Sequence, residues 1–155
     1  MPIVNAASAF FNISRIENGE DFELFGPSFT SRAADYMEHC DKERLAVGKA
    51  LGLELYSLLE TVNSQRSEKK ATLYEAFKNN ALYDGLKGPV SLSDRSLSED
   101  LPCGLGSLLD LADMMHVPAP YITAMVDTAS LYMGKPYEPF LTVQDLRAIK
   151  ALRGK

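Results

Sequence analysis

At 155 residues the chain has the size of one ordinary domain, long enough to bury a core without disulfide or metal staples. Its 16 Lys and Arg against 21 Asp and Glu give a formal net charge of -5, so no overall positive field draws in nucleic-acid phosphates or anionic lipid. No apolar run approaches the ~20 residues that span a bilayer, and the first residues lack the regions of a signal peptide, which predicts a cytoplasmic protein with no membrane and no nucleic-acid partner.

The opening "MPIVNAASAFFNISRIENG" is apolar from Ile3 to Ile16, with no polar tail. Domains usually start at solvated residues, so this start predicts packing against an upstream partner missing from the chain. After "GPSF", Thr30 or Ser31 can cap a helix whose stripe of Ala33, Ala34, Met37, Leu45, Val47, Ala50 and Leu51 runs to a stop at Gly52. Within it, "DKERLAVGKALG" reads mostly as a solvated face followed by core. Leu53 to Val62 reads as a second, shorter helix, and Asn63 to Lys70 as a solvated loop or helix start. Leu73, Tyr74 and Phe77 then share one face before Asn79, Asn80 and Gly85 break the pattern.

Two further helices are expected around "GLGSLLDLADMMHV" and "PYITAMVDTASLYMG", separated by "VPAP", whose prolines stop one helix and seed the next. Leu105, Leu108, Leu109 and Ala112 follow the helical template, and Met114 and Met115 read as core. The tail "TVQDLRAIKALRGK" opens on a capping-box spacing, Thr142 to Asp145, and turns Leu146, Ile149 and Leu152 inward. No segment alternates with period two for long enough to claim a sheet. The expectation is an all-α, single globular domain of six to seven helices over residues 1-155. Cys40 and Cys103 have no metal-ligand spacing and are expected as small buried thiols in a reducing compartment. His39 and His116 read as helix-surface or helix-end residues, and no cluster has metal-site spacing.

The stretch "DRSLSEDLPCGLG", Asp94 to Gly106, resists reading as scaffold. Pro102 biases Leu101 away from helical dihedrals, so Arg95 and Asp100 are expected in a turn feeding a helix N-terminus, where both can converge on one pocket. An arginine there can hold a carboxylate by a bidentate pair, and an aspartate can orient a catalytic histidine. Gly104 and Gly106 would let a ligand or a second backbone approach. The bland alternative makes Ser98, Glu99 and Asp100 ordinary capping residues, with Arg95 in a weak surface pair.

Five blocks in order and spacing carry a resemblance over about Pro2 to Leu152: "NISRIE", "DKERLAVGKALGLEL", "LYEAFKNNALYDGLKGP", "RSLSEDLPCGLGSLLDLA" and "VPAPYITAMVDTASLYMGKPY". Together they resemble the C-terminal helical domain of the octopine/nopaline (opine) dehydrogenase family. The resemblance implies a two-domain enzyme in which an N-terminal Rossmann domain binds NAD(P)H and the helical domain supplies the substrate side of the cleft. Such enzymes reduce the imine of a 2-keto acid and an amino acid to a secondary amine dicarboxylate. By the same resemblance Arg95 grips a substrate carboxylate, Asn12 binds substrate, and Asp100 is catalytic, pairing with a histidine that acts as general acid/base.

Two departures bear on the function. Where the family pattern has a histidine, seven residues before Asn12, this chain has Asn5, whose amide has no titratable proton near neutral pH. The N-terminal Rossmann domain is absent: no glycine-rich strand-turn-helix signal occurs, so no cofactor is expected in this chain and NAD(P)H is expected on a separate or missing Rossmann domain. The first expectation is therefore a substrate-binding helical domain of an oxidoreductase, inactive alone, with a Rossmann-type domain, a 2-keto acid and amino acid or opine, and a second copy of itself as partners. The alternative, favoured by Asn5, is a stand-alone non-catalytic module for small-molecule binding or dimerisation.

Overall fold

The computed structural model describes residues 2–78 and 80–153. Among the described residues the chain forms eight α-helices and one π-helical segment: α1 (Pro2–Phe10), α2 (Ile13–Glu17), α3 (Ser31–Ala50), α4 (Leu58–Ser64), α5 (Leu73–Phe77), the π-helix (Ser96–Gly106), α6 (Ser107–Met114), α7 (Pro120–Tyr132) and α8 (Val143–Arg153). The all-α expectation holds, with a slightly larger helix count because several elements are only one or two turns long. The sole extended pairing among the described residues is an antiparallel bridge between Glu23 and Lys87.

Helix α1 lies at the centre. Ile3, Val4, Ala6, Ala7 and Ala9 are all buried, enclosed chiefly by the π-helix, α3 and α7. This corrects the reason expected for the apolar start: those side chains are covered by the domain's own helices, and need no upstream partner to bury them.

Helix α3 begins where local chemistry directs it. The Thr30 side chain accepts the Ala33 N–H at 3.2 Å, and Gly52, at φ +74, closes the C-terminal end. Its acidic stretch departs from the solvated face expected of it, because Asp41 and Glu43 are buried. The second helix also starts later than its sequence suggests. Leu53 to Tyr56 are non-helical and fold back over α3, where a Cβ on Gly48 would overlap Leu55. Helix α4 follows once Ser57 and Glu60 form a reciprocal capping box.

Around the far end of α3, Phe25, Phe29, Phe77 and Tyr83 form an aromatic cluster in which Phe25 stacks on Phe77 at 4.6 Å. Leu73 and Phe77 are buried on α5 as expected, while Asn79 lies outside the described residues. Met114 and Met115 are half-buried at the end of α6 and not part of the core. The Thr142–Asp145 capping box forms and Leu146 is buried; the side chains of Ile149 and Leu152 lie outside the described residues. Cys40 is buried but Cys103 is exposed, which corrects the expectation of two buried thiols. Its position on the outer face of the π-helix explains the difference.

Candidate functional site

The stretch from Asp94 onward is helical. The Asp94 carboxylate accepts the Ser96 N–H at 2.9 Å, and its backbone carbonyl accepts those of Leu97 and Ser98. Arg95 already has helical dihedrals, so Arg95 and Asp100 ride on a helix and not in a turn, a correction to the expectation drawn from Pro102. In an α-helix a proline ring meets the carbonyl four residues back and removes a donor; the wider i→i+5 coil relieves that crowding, and Pro102 is contained without a break.

Helix α1 passes this segment in the opposite direction. Pro2 lies over Gly104, where a Cβ would come within 2.8 Å of the Pro2 Cβ. One turn along, the Asn5 side-chain Nδ2 donates to Asp100 Oδ2 at 3.0 Å, joining residues 95 apart in sequence. Both are half-buried. Gly104 and Gly106 thus serve close packing: the first admits α1, and the second admits the Tyr137 ring, which a Cβ would overlap.

Of the three residues singled out from sequence, Asp100 alone is brought against a second candidate residue. The Arg95 side chain is 76% exposed and pairs with Glu99 at 3.3 Å, an i,i+4 contact on solvated surface. Asn12 is buried just after α1, its Nδ2 donating to the Ser8 carbonyl at 2.9 Å. The Ser8 hydroxyl beside it is buried without a hydrogen-bond partner. His39 is stacked on Tyr121 at 4.3 Å, and His116 is exposed at φ +55 beyond the end of α6. Neither histidine contacts Asp100 by any hydrogen bond or ion pair among the described residues. No group of three or more His, Cys, Asp or Glu that could hold a metal occurs among them, and no helix is long and apolar enough to cross a membrane.

Beside the π-helix lies an open cavity of about 410 Å³, walled by Leu97, Leu101, Met133, Tyr137 and Phe140. Its outer wall hangs on Asp110 of α6, which sequence reading missed. Asp110 Oδ1 accepts the Tyr137 hydroxyl at 2.7 Å, and Oδ2 accepts the N–H groups of Phe140 and Leu141 at 3.1 and 2.9 Å. Burial, together with the Asp110 carboxylate, raises the Tyr137 hydroxyl well above the usual tyrosine range. The available signal was a carboxylate set inside the apolar run "LLDLA", where only a buried partner would keep it.

The sequence matches the model of the NAD/NADP octopine/nopaline dehydrogenase alpha-helical domain over residues 2–133. The chain belongs to this family. An opine dehydrogenase of Arthrobacter sp. (strain 1C) is 32% identical over 128 residues, covering 83% of this chain and 36% of the relative. A solved octopine dehydrogenase, from a study of its substrate and stereo selectivity with NADH and L-arginine, shares the fold with a TM-score of 0.71 at 20% identity, covering 86% of this chain and 38% of its own. The chain therefore spans little more than a third of the length of either protein. Within this octopine/nopaline dehydrogenase domain, Asn5, Asn12, Arg95 and Asp100 all fall inside the matched residues. The Tyr137–Leu141 strap and α8 lie beyond them.

Proposed function

We propose that the chain is the substrate-binding side of an opine dehydrogenase-type oxidoreductase, which reduces the imine of a 2-keto acid and an amino acid. NAD(P)H supplies the hydride in such a reaction, held on a Rossmann-type domain outside these residues. The observation that carries the reading is the Asn5–Asp100 contact, which fixes a half-buried carboxylate between two elements inside the family-matched region. Arg95 is free to take a substrate carboxylate, because an exposed pair with Glu99 costs little to give up. Asn12 is the second substrate-binding residue on this reading, its Nδ2 donating to the Ser8 carbonyl near the C-terminal end of α1. On this reading the chain is inactive alone and pairs with a nucleotide-binding domain and with a second copy of itself.

The test combines the full chain with the nucleotide-binding domain of a two-domain relative and follows NAD(P)H oxidation across pairs of keto acids and amino acids. Turnover that requires both substrates is expected, with Arg95→Ala raising KM for the keto acid. A folded, associated complex that oxidises no NAD(P)H with any pair rejects the reading. Asn5 favours a second reading, a non-catalytic binding module derived from the same domain, since an amide cannot exchange protons with a substrate. Opine binding without turnover in the complex would select it.

A further inference from the structure

We propose that the cavity beside the π-helix is a binding site for a small, uncharged aromatic molecule carrying one hydrogen-bonding oxygen, and that Ser130 of α7 meets that oxygen. The cavity has a volume of about 410 Å³. None of Asn5, Asn12, Arg95 and Asp100 lines it, and Lys135, Pro136, Tyr137, Glu138 and Phe140 of its wall lie beyond the family-matched residues 2–133. The site is thus built in part by the segment that follows the family match, and it stands independently of the function proposed above.

Ser130 is the residue that points to a ligand. It is 9% exposed, it lines the cavity, and its hydroxyl makes no hydrogen bond with any other described residue. A helical hydroxyl has a partner at hand in the carbonyl four residues back, and Thr123 of the same helix uses it, donating to Ala119 at 2.8 Å. Ser130 makes no such bond. The other hydroxyls of the wall are committed: Ser98 donates to the Ser93 carbonyl, Ser93 pairs with Ser91, and Tyr137 donates to Asp110. A buried hydroxyl without a partner is unfavourable, and an occupant's oxygen relieves it.

The rest of the wall sets the chemical class. Leu97 and Leu101, both 4% exposed, supply the deep apolar surface, while Met133, Tyr137 and Phe140 add a thioether and two rings, which favour an aromatic occupant. Phe140 stays half open to solvent although Asp110 holds its N–H, so an apolar ring is fixed at the mouth. The mouth also carries Lys135 and Glu138, one charge of each sign, and the five ion pairs among the described residues leave both out. Their fields offset, so the mouth draws in neither anion nor cation, and the apolar walls disfavour either.

Binding is measured on the full chain by nuclear magnetic resonance titration with three probes: acetophenone, which has a carbonyl oxygen, ethylbenzene, which has none, and benzoate, which is charged. Ser130→Ala is expected to lower acetophenone affinity about fivefold, the effect of one hydrogen bond, and to leave ethylbenzene unchanged. Benzoate should bind about tenfold more weakly than acetophenone. Cys103, an exposed thiol on the cavity wall, gives a second readout: acetophenone should slow its alkylation by N-ethylmaleimide, and less so in Ser130→Ala. Acetophenone affinity unchanged by Ser130→Ala, or lost equally for ethylbenzene, overturns the proposal. Benzoate binding tighter than acetophenone also overturns it, since Lys135 would then be the anchor. Alkylation that slows as the chain is concentrated, with no probe present, means that a second copy covers the cavity and overturns it too. A folded chain that binds none of the three does the same, and no one of these outcomes bears on the imine-reducing role proposed for the domain.

Discussion

Glu43 of α3 reaches across to the start of α7, where its two carboxylate oxygens accept the backbone N–H groups of Tyr121 and Ile122 at 2.8 and 2.9 Å. Ala119, the residue before α7, offers no side chain to cap it. The same helix repeats the device twice: Asp41 Oδ2 accepts the Leu58 N–H of α4 at 2.7 Å, and Glu38 Oε1 accepts the Leu73 N–H of α5 at 2.8 Å. Three helix starts, each with unpaired N–H groups and a partial positive charge, are thus seated on carboxylates of α3.

This arrangement predicts that Glu43→Ala, which strands one buried and one part-buried N–H group, destabilises the fold by about 3 kcal/mol, and that Glu43→Gln, keeping one acceptor, costs about half of that. Urea denaturation followed by helical circular dichroism measures both. Equal losses in the two variants would show that packing, and not the carboxylate, seats α7.

High pH should weaken the fold. Burial, with the Glu43 carboxylate beside it, pushes the Cys40 thiol up to about 12, and burial likewise raises the Tyr36 hydroxyl to about 12. In the unfolded chain both groups lose their protons at their ordinary values, ~8.5 and ~10. Between about pH 9 and 12 the native state therefore holds protons that the unfolded state has released, and stability falls as pH rises. Cys40→Ala should delay the onset of that fall towards pH 10, where Tyr36 begins to contribute. Thiol titration of the native protein at pH 8 should report one fast group, the exposed Cys103, with Cys40 reacting only on unfolding.

How much of this was legible depended on distance along the chain. Thr30, Gly52 and the Thr142–Asp145 box act on neighbours within a turn, so the pattern of residues displays them. Glu43 and Asp41 look like solvent residues because their partners lie 79 and 17 positions away. Pro102 misled for a different reason: the rule that a proline breaks the preceding helix assumes α geometry, and here the coil widens instead. Of the candidate site, Arg95 and Asp100 stood out in the stretch from Asp94 to Gly106, while Asn5 and Asn12 entered only through the family resemblance. No local pattern announces that Asn5 and Asp100 meet, while Arg95, conspicuous in sequence, stands exposed.

Gly106→Ala should release the strap beyond the family-matched residues. The added methyl overlaps the Tyr137 ring, and lifting that ring removes its hydroxyl from Asp110. Asp110 would then keep only the Phe140 and Leu141 N–H groups, and the strap's anchorage would loosen. Hydrogen exchange should quicken at Phe140 and Leu141 and leave α1 and α3 unchanged. Tyr137→Phe, which keeps the ring and loses the hydroxyl, should quicken the same amides less. Unaltered exchange in Gly106→Ala would mean that the strap is held by contacts other than Asp110.

Pro102→Ala tests what sets the geometry of the candidate site. The natural residue cannot donate, and its ring would crowd the Ser98 carbonyl in an α-helix, so the segment stays in the wider coil. Alanine restores the N–H and removes the ring, which permits an i→i+4 bond to Ser98 and a tighter winding. Each residue beyond the tightened turn then rotates relative to α1, and Asp100 turns away from Asn5. Because proline is about 3 kcal/mol less favourable than alanine inside a helix, overall stability should rise. The Asn5 side-chain amide, bound to Asp100 in the natural chain, should meanwhile lose its protection and shift towards the position of a solvated amide in nuclear magnetic resonance spectra. A gain in stability together with the lost Asn5–Asp100 contact would identify Pro102 as the residue that holds the site open at the expense of the fold. An unchanged Asn5 signal with no gain in stability would place the cause of the π-helix elsewhere, in the packing of Pro2 on Gly104.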